Sequence, residues 1–357
     1  VQAMHRVHHS SGLHLYPQSA YWDWPYTADK ISSQEADGGR LLQIDRDWMW
    51  YKAWGRYAWN SGDEVSPNNA TLMSTPQGNE IPVRVLMTDS AERAYWQREL
   101  ADYYGTDLYH AGYILYALDE VGEIAPKLLR RFGITEGNRQ TLLLGMKMAQ
   151  LVNPYKFNVY PGFYESCGPK GEKLIEWAER EYKGEPHEGE LPLDIAKQCV
   201  GHAANAWYDI GAARKHVTKH VDEFLRLQND IDCYTAFAKA FQLKVQAAAL
   251  VLRYKWGRNV NDLSKACLYL MQSLEQWRDL VLLTKDSYLY ANSMQTAQRR
   301  IPVGGDDGRF KTWADMLPVY EEEVAALRQN IERLKNPVAQ TDVLILPAKP
   351  AAVSILS

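Results

Sequence analysis

From Asp89 onward the apolar positions recur at the three-and-four spacing of helices that bury one face. In "DSAERAYWQRELADYYG" the apolar set is Trp96, Leu100, Tyr103 and Tyr104. Asp89 and Glu92 stand before it in capping-box spacing, and Gly105 follows it. "DLYHAGYILYALDEVGEIAP" repeats the pattern at Leu108, Ala111, Leu115 and Leu118, with a stop expected before Pro126. "NRQTLLLGMKMAQLVNP" gives a third helix, closed at Asn153-Pro154. An irregular stretch, "YKFNVYPGFYESCGPKGEK", intervenes before helical spacing resumes at Leu174 and again at Pro192. From Pro192 to Trp256 the pattern is almost unbroken and too long for one ordinary helix, so a break is expected near 211–216 or 226–232. "NDLSKACLYLMQSLEQWRDLVLL" is the next helix. The last, "TWADMLPVYEEEVAALRQNIERLKN", places Leu317, Tyr320, Val324, Leu327, Ile331 and Leu334 on one stripe, with Thr312 and Asp315 set to cap its start.

These patterns predict an all-α fold, a multi-helix bundle of about eight helices over residues 86–336. Residues 1–85 differ: turn-forming runs such as "SSQEADGG" and "NSGDEVSPNN" surround two aromatic clusters, an irregular aromatic-rich segment. Residues 337–357, "NPVAQTDVLILPAKPAAVSILS" with its leading Asn336, are rich in Pro and Val and read as a linker towards a β-rich module.

Composition narrows the function classes. The 357 residues are 46% hydrophobic and 24% charged, which is globular composition. Net charge is -4, without the basic excess of a general nucleic-acid binder. No apolar run reaches the length of a membrane span. Trp (12) and Tyr (22) far outnumber Phe (7), a bias towards rings with a polar handle that suits half-wet binding surfaces. Cys167, Cys199, Cys233 and Cys267 form no CxxC pair and read as small buried residues on helices.

Several motifs invite chemistry and mostly lose it on inspection. "KHVTKH" puts His216 and His220 at metal-binding spacing on a helix, but Val217 stands where the metalloprotease motif needs Glu, and the flanking lysines favour a solvated basic face. "LQNDIDCYTAFAKAF" has the Asn-Asp start of a terpenoid-cyclase metal box but carries Cys233 and Phe237 where that box needs a hydroxyl and a Glu. "VHHSSGLH" groups His8, His9 and His14, either a site at a strand end or an idle loop cluster. "IPVGGDDGRFKTW" is too short for a dinucleotide fingerprint. No cofactor and no metal is assigned.

"NVYPGFYESCGPKG" sets Glu165 among Tyr160, Phe163 and Tyr164 in a loop between helices. Glu165 is a candidate catalytic acid if burial raises its pKa, or part of a merely structural loop. "SAYWDWPYTADK" and "DRDWMWYKAWGRYAWN" concentrate rings beside carboxylates. In the second, Trp50, Trp54, Tyr57 and Ala58 share one helical face and read as core, as do Trp96 and Leu100 of the next helix. Trp48 and Tyr51 fall on another face. Trp22, Asp23, Trp24 and Tyr26, on a segment that Pro25 keeps extended, together with Asp45, Arg46, Asp47, Trp48 and Tyr51, make a candidate substrate surface: rings stack on sugars and carboxylates accept their hydroxyls. The competing reading makes these rings core.

The stretch from Trp48 to Gly105 resembles a region of α-glucuronidases and related bacterial glycoside hydrolases. There a helical domain follows a (β/α)8 barrel, opening with an aromatic helix that ends in a "GRLAWDPD"-like turn and a second helix ending "YYG" or "TFG". The matching residues are Gly55, Arg56, Tyr57, Ala58, Trp59 and Asn60, then Trp96, Leu100, Tyr104 and Gly105. The resemblance implies that residues 1–85 contain the end of the catalytic barrel, at the face where such barrels carry their sites. The paired carboxylates that cleave a glycosidic bond would then lie mostly outside this chain. It also implies a carbohydrate substrate, other modules in the same protein, and secretion or a periplasmic location. The alternative is a non-catalytic helical scaffold or carbohydrate-binding module.

Overall fold

The computed structural model describes residues 48–59, 90–132, 145–154, 169–288 and 311–336, with the side chains of all but 57–59 and 90. Ten α-helices stand among them: α1 (Trp48–Trp59), α2 (Ser90–Tyr104), α3 (Leu108–Gly122), α4 (Ile124–Phe132), α5 (Met148–Val152), α6 (Leu174–Lys183), α7 (Pro192–Ala213), α8 (Val221–Gly257), α9 (Val260–Thr284) and α10 (Leu317–Lys335). Short 3-10 turns, Arg214–His216 and Ala314–Met316, precede α8 and α10. No strand occurs among the described residues, and an isolated bridge joins Gly171 to Glu190. The fold is all-α, as the spacing predicts. The break in the long pattern falls at residues 214–220, the earlier of the two places expected. The stop expected before Pro126 is the end of α3 at Gly122, and Pro126 itself sits in the first turn of α4, where its missing N–H removes no helical bond.

The chain divides into two compact units. The first comprises Val1–Glu123, His202–Thr235 and Asp286–Leu289; the second comprises Ile124–Gly201, Ala236–Lys285 and Tyr290–Ser357. In the first unit, Trp96, Leu100 and Tyr104 of α2 meet Ile114 and Leu115 of α3, Ala206 and Ile210 of α7, and Phe224 and Ile231 of α8. The buried face of α2 is the one its spacing marks. Leu100, Ile114 and Phe224 are almost wholly buried, each worth about 1.5–3 kcal/mol of apolar transfer.

Backbone hydrogen bonds tie two connections of this unit together. Thr218 N and Lys219 N both donate to Tyr104 O at 3.0 Å, and Thr218 Oγ1 donates to Gly105 O at 2.5 Å. Gly105 needs its φ of 61° to turn the chain, and a Cβ there would lie 2.5 Å from Thr218 Oγ1. Asp107 then caps α3 by accepting from His110 N at 3.0 Å.

In the second unit the α10 stripe reads as expected in its middle: Tyr320, Val324, Leu327 and Ile331 are buried, while Leu334 is exposed at the helix end. Thr312 and Asp315 form the expected reciprocal cap, Thr312 N donating to Asp315 at 2.7 Å and Asp315 N to Thr312 Oγ1 at 3.2 Å. Trp277 of α9 packs edge-on against Tyr320 and donates its indole N–H to Trp313 O at 3.0 Å. Cys199 and Cys267 are buried free thiols, as expected, and Cys233 is a half-buried one.

Candidate functional site

Helix α1 presents two faces. Trp48, Met49 and Ala53 pack against the core of the first unit, and Trp48 stacks on Tyr103 with 4.5 Å between ring centroids. Arg56 continues this face: its Nε and Nη2 donate to Glu92 Oε2 at 3.1 and 3.0 Å, and its guanidinium lies 4.1 Å over the Tyr95 ring. Glu92 spends its other oxygen on Trp96 Nε1 at 2.8 Å. Lys52 pairs with Glu99. Positions 48, 49, 52, 53 and 56 therefore form the inner stripe, locked to α2 by a charged fork.

The opposite face carries Trp50, Tyr51 and Trp54. Trp50 is 65% exposed, and its ring lies 6.3 Å from Trp54, which Tyr51 meets edge-on at 5.2 Å. The core face read from the sequence, Trp50, Trp54, Tyr57 and Ala58, is thus rotated from the observed one. Trp50 is at the surface and Trp54 only half-buried, because the ion pairs to α2 decide which face turns inward. The side chains of Tyr57 and Ala58 lie outside the described residues. Of the candidate substrate residues, Tyr51 belongs to the outer ring row and Trp48 to the inner stripe. Trp22, Asp23, Trp24, Tyr26, Asp45, Arg46, Asp47 and Glu165 lie outside the described residues.

A second exposed ring group belongs to the same unit. Tyr109 and Tyr208 are mostly exposed, and the Tyr109 and Tyr113 hydroxyls lie 2.9 Å apart. That hydroxyl pair pushes the Tyr113 phenol up to about 12, and burial adds to the rise. Beside Tyr109 and Tyr113 stands His110, whose ring stacks on that of His216. His216 and His220 do not share a helix: His216 ends the 3-10 turn, and His220, at φ 48°, stacks on Tyr103 instead.

The second unit has a groove of about 330 Å³ lined by Glu172, Glu176, Glu179, Glu185 and Glu188 with Lys170, Arg180 and Lys183. A glycosidic acid needs a carboxyl with a raised pKa. Here Lys183 holds Glu179, and Lys170 holds Glu188, below the usual carboxylate range. Buried Glu172 faces His187 Nδ1 at 2.9 Å and Arg180 at 3.5 Å. The groove is lined by an ion-pair lattice. Raised carboxyls lie elsewhere: on α3 burial pushes Asp119 up to about 6, partly offset by Arg93, and on α8 burial raises Asp232. No sequence motif marks Asp119. Only its place on the buried side of an amphipathic helix points to it.

Comparison with known proteins bears on this arrangement. No family model and no curated protein matches the chain. The chain is similar to the solved structure of a GH138 enzyme targeting pectin rhamnogalacturonan II. They share 52% identity and a TM-score of 0.80, covering 94% of this chain and 44% of that one. The chain thus spans less than half the length of the glycoside hydrolase it matches, and the match includes its helical region.

Proposed function

We propose that the chain is the helical portion of a glycoside hydrolase acting on a complex polysaccharide of the pectin class, and that it supports a catalytic barrel and lends rings to its sugar cleft. The 52% identity over nearly the whole chain carries this reading, since divergence at that level keeps side-chain environments as well as topology. The barrel-then-helices order of α-glucuronidase-like enzymes, export from a bacterial cell and further modules belong to the same proposal. Its chemistry in this chain is recognition. Trp50, Tyr51 and Trp54 offer ring faces to the apolar side of a sugar, and Trp22, Asp23, Trp24, Tyr26, Asp45, Arg46, Asp47 and Trp48 stay with the proposal as the sequence's candidate substrate residues. Glu165 is the proposal's candidate acid within the chain.

The test is cleavage of rhamnogalacturonan II fragments by the protein that carries this chain, with Trp50→Ala as the probe. Trp50 is mostly exposed, so its loss should leave the melting temperature within a degree or two while weakening fragment binding about tenfold, the worth of one stacked ring. No binding and no cleavage of any such fragment by the parent would refute the proposal. A second reading, a non-catalytic carbohydrate-binding scaffold, is favoured by the ionised groove carboxylates. Binding without cleavage would select it.

A further inference from the structure

Asp107, His110 and His216 bring one carboxylate and two imidazoles together, with a ligand atom from each within 4.8 Å of the others. Asp107 and His110 open α3; His216 comes from the connection between α7 and α8. We propose that this cluster binds a divalent transition-metal ion, zinc by its donor set, as a clamp between the two connections of the first unit. Two imidazoles with one carboxylate are borderline ligands that suit zinc and leave a fourth position for water, whereas calcium and magnesium call for all-oxygen sites.

Preorganisation supports the assignment. The three hydrogen bonds from Thr218 and Lys219 to Tyr104 and Gly105 fix the His216 connection against the turn that carries Asp107. The tight turn at Gly105 leaves no slack, so the donors meet without long loops to order. Asp107 Oδ2 lies 2.6 Å from His110 Nδ1, so a small opening of this pair would let both atoms ligate one ion while Oδ1 keeps its cap on His110 N. The His110 and His216 rings are nearly parallel, 3.4 Å between centroids. Their in-plane lone pairs do not converge in that pose. His216 is exposed on its short turn and His110 is half-buried, so binding requires the His216 ring to turn its nitrogen towards the ion. The inference is independent of the sugar chemistry proposed above.

The experiment is calorimetric titration of chelator-stripped protein with zinc chloride, with melting temperature as a parallel readout. The parent should bind one zinc that His216→Ala and Asp107→Asn each weaken at least tenfold. Asn keeps the helix cap and His216 is exposed, so both variants should fold. Zinc should raise the parent's melting temperature and leave that of His216→Ala unchanged. Zinc held by His8, His9 and His14, or by the thiols, would persist in His216→Ala. Identical titrations of parent and His216→Ala overturn the site, as does a parent that binds no zinc. Binding of calcium in its place overturns the assigned metal class.

Discussion

Lys244 lies in the core of the second unit, and its removal should change how stability depends on pH. Its ammonium sits 3.3 Å over the Tyr320 ring and 3.4 Å from Glu323 Oε2. Glu323 also accepts from Met148 N, capping α5. The adjoining cavity measures about 10 Å³, room for at most one water. Burial dominates and pushes Lys244 down from 10.5 to about 8, while Glu323 opposes the shift only in part. The Oε2 atom faces the ammonium without the alignment of a hydrogen bond, which explains why the pair does not win back the desolvation.

The sign follows from proton counting. Below pH 8 both folded and unfolded chains hold the proton, and the folded state bears the full penalty, about 3 kcal/mol for a drop from 10.5 to about 8. Between pH 8 and 10.5 the unfolded chain binds more protons, so stability rises with pH. From pH 8 to 10 the rise is about 2 kcal/mol. The buried Cys233 thiol, raised by desolvation, acts oppositely in this window, so the informative quantity is the difference between parent and Lys244→Met, in which that contribution cancels. Urea unfolding at half-unit steps from pH 7 to 10, followed by tryptophan fluorescence, should show that difference growing by about 2 kcal/mol in the parent's favour. Should Lys244→Met fold poorly with its stranded carboxylate, Lys244→Met with Glu323→Gln keeps the α5 cap and carries the same comparison. Parallel stability curves for parent and variant over this range would refute the reasoning.

Phe224→Ala empties an almost fully buried site between α2 and α8 and should cost about 3–5 kcal/mol by urea unfolding. Gly105→Ala meets both a positive φ and Thr218 Oγ1, so instead of the usual stabilisation of a compatible Gly→Ala change it should destabilise by more than about 1 kcal/mol and loosen amide protection at Thr218 and Lys219. His187, held above its usual pKa by hydrogen bonds to Glu181 and Glu172, contributes stability that is present below about pH 6.5 and lost as pH rises through its folded value. The stability of His187→Gln should therefore lack the parent's decline between pH 6 and 8.

Helices α2 and α10 were legible because each carries one apolar stripe between recognisable stops. Leu100 and Tyr104, or Tyr320 and Ile331, leave no second choice of inner face. Helix α1 was not legible. Trp48, Trp50, Tyr51, Trp54, Tyr57 and Trp59 put rings on every side, and hydrophobicity alone cannot rank them. The ranking comes from Arg56 and Lys52, whose partners Glu92 and Glu99 sit on a helix far along the chain. The same limit hid the Asp107, His110 and His216 cluster. Its local half, an N-cap Asp three residues before a His, is visible in sequence, but the distant half appears only once Thr218 docks on Gly105. His216 and His220, read as part of a solvated basic face, are exposed as expected; their i, i+4 spacing has meaning only on a continuous helix, and α7 ends at Ala213.

The two units use their unusual residues in opposite ways, and that difference bears on where sugar contact should be sought. In the second unit the charges are consumed by one another: Arg130 and Arg131 close on Glu190, Arg180 on Glu172, and Lys244 on Glu323. A ligand entering there would have to displace satisfied partners, at a cost of several kcal/mol for each buried pair broken. In the first unit Trp50, Tyr109 and Tyr208 stand mostly in solvent, and covering them removes apolar surface from water without breaking a buried ion pair. For a chain that resembles part of a polysaccharide-cleaving enzyme, the exposed rings of the first unit are therefore where substrate contact costs least. Substitutions on that ring face should then alter binding without unfolding the protein, and substitutions in the ion-pair lattice should do the reverse.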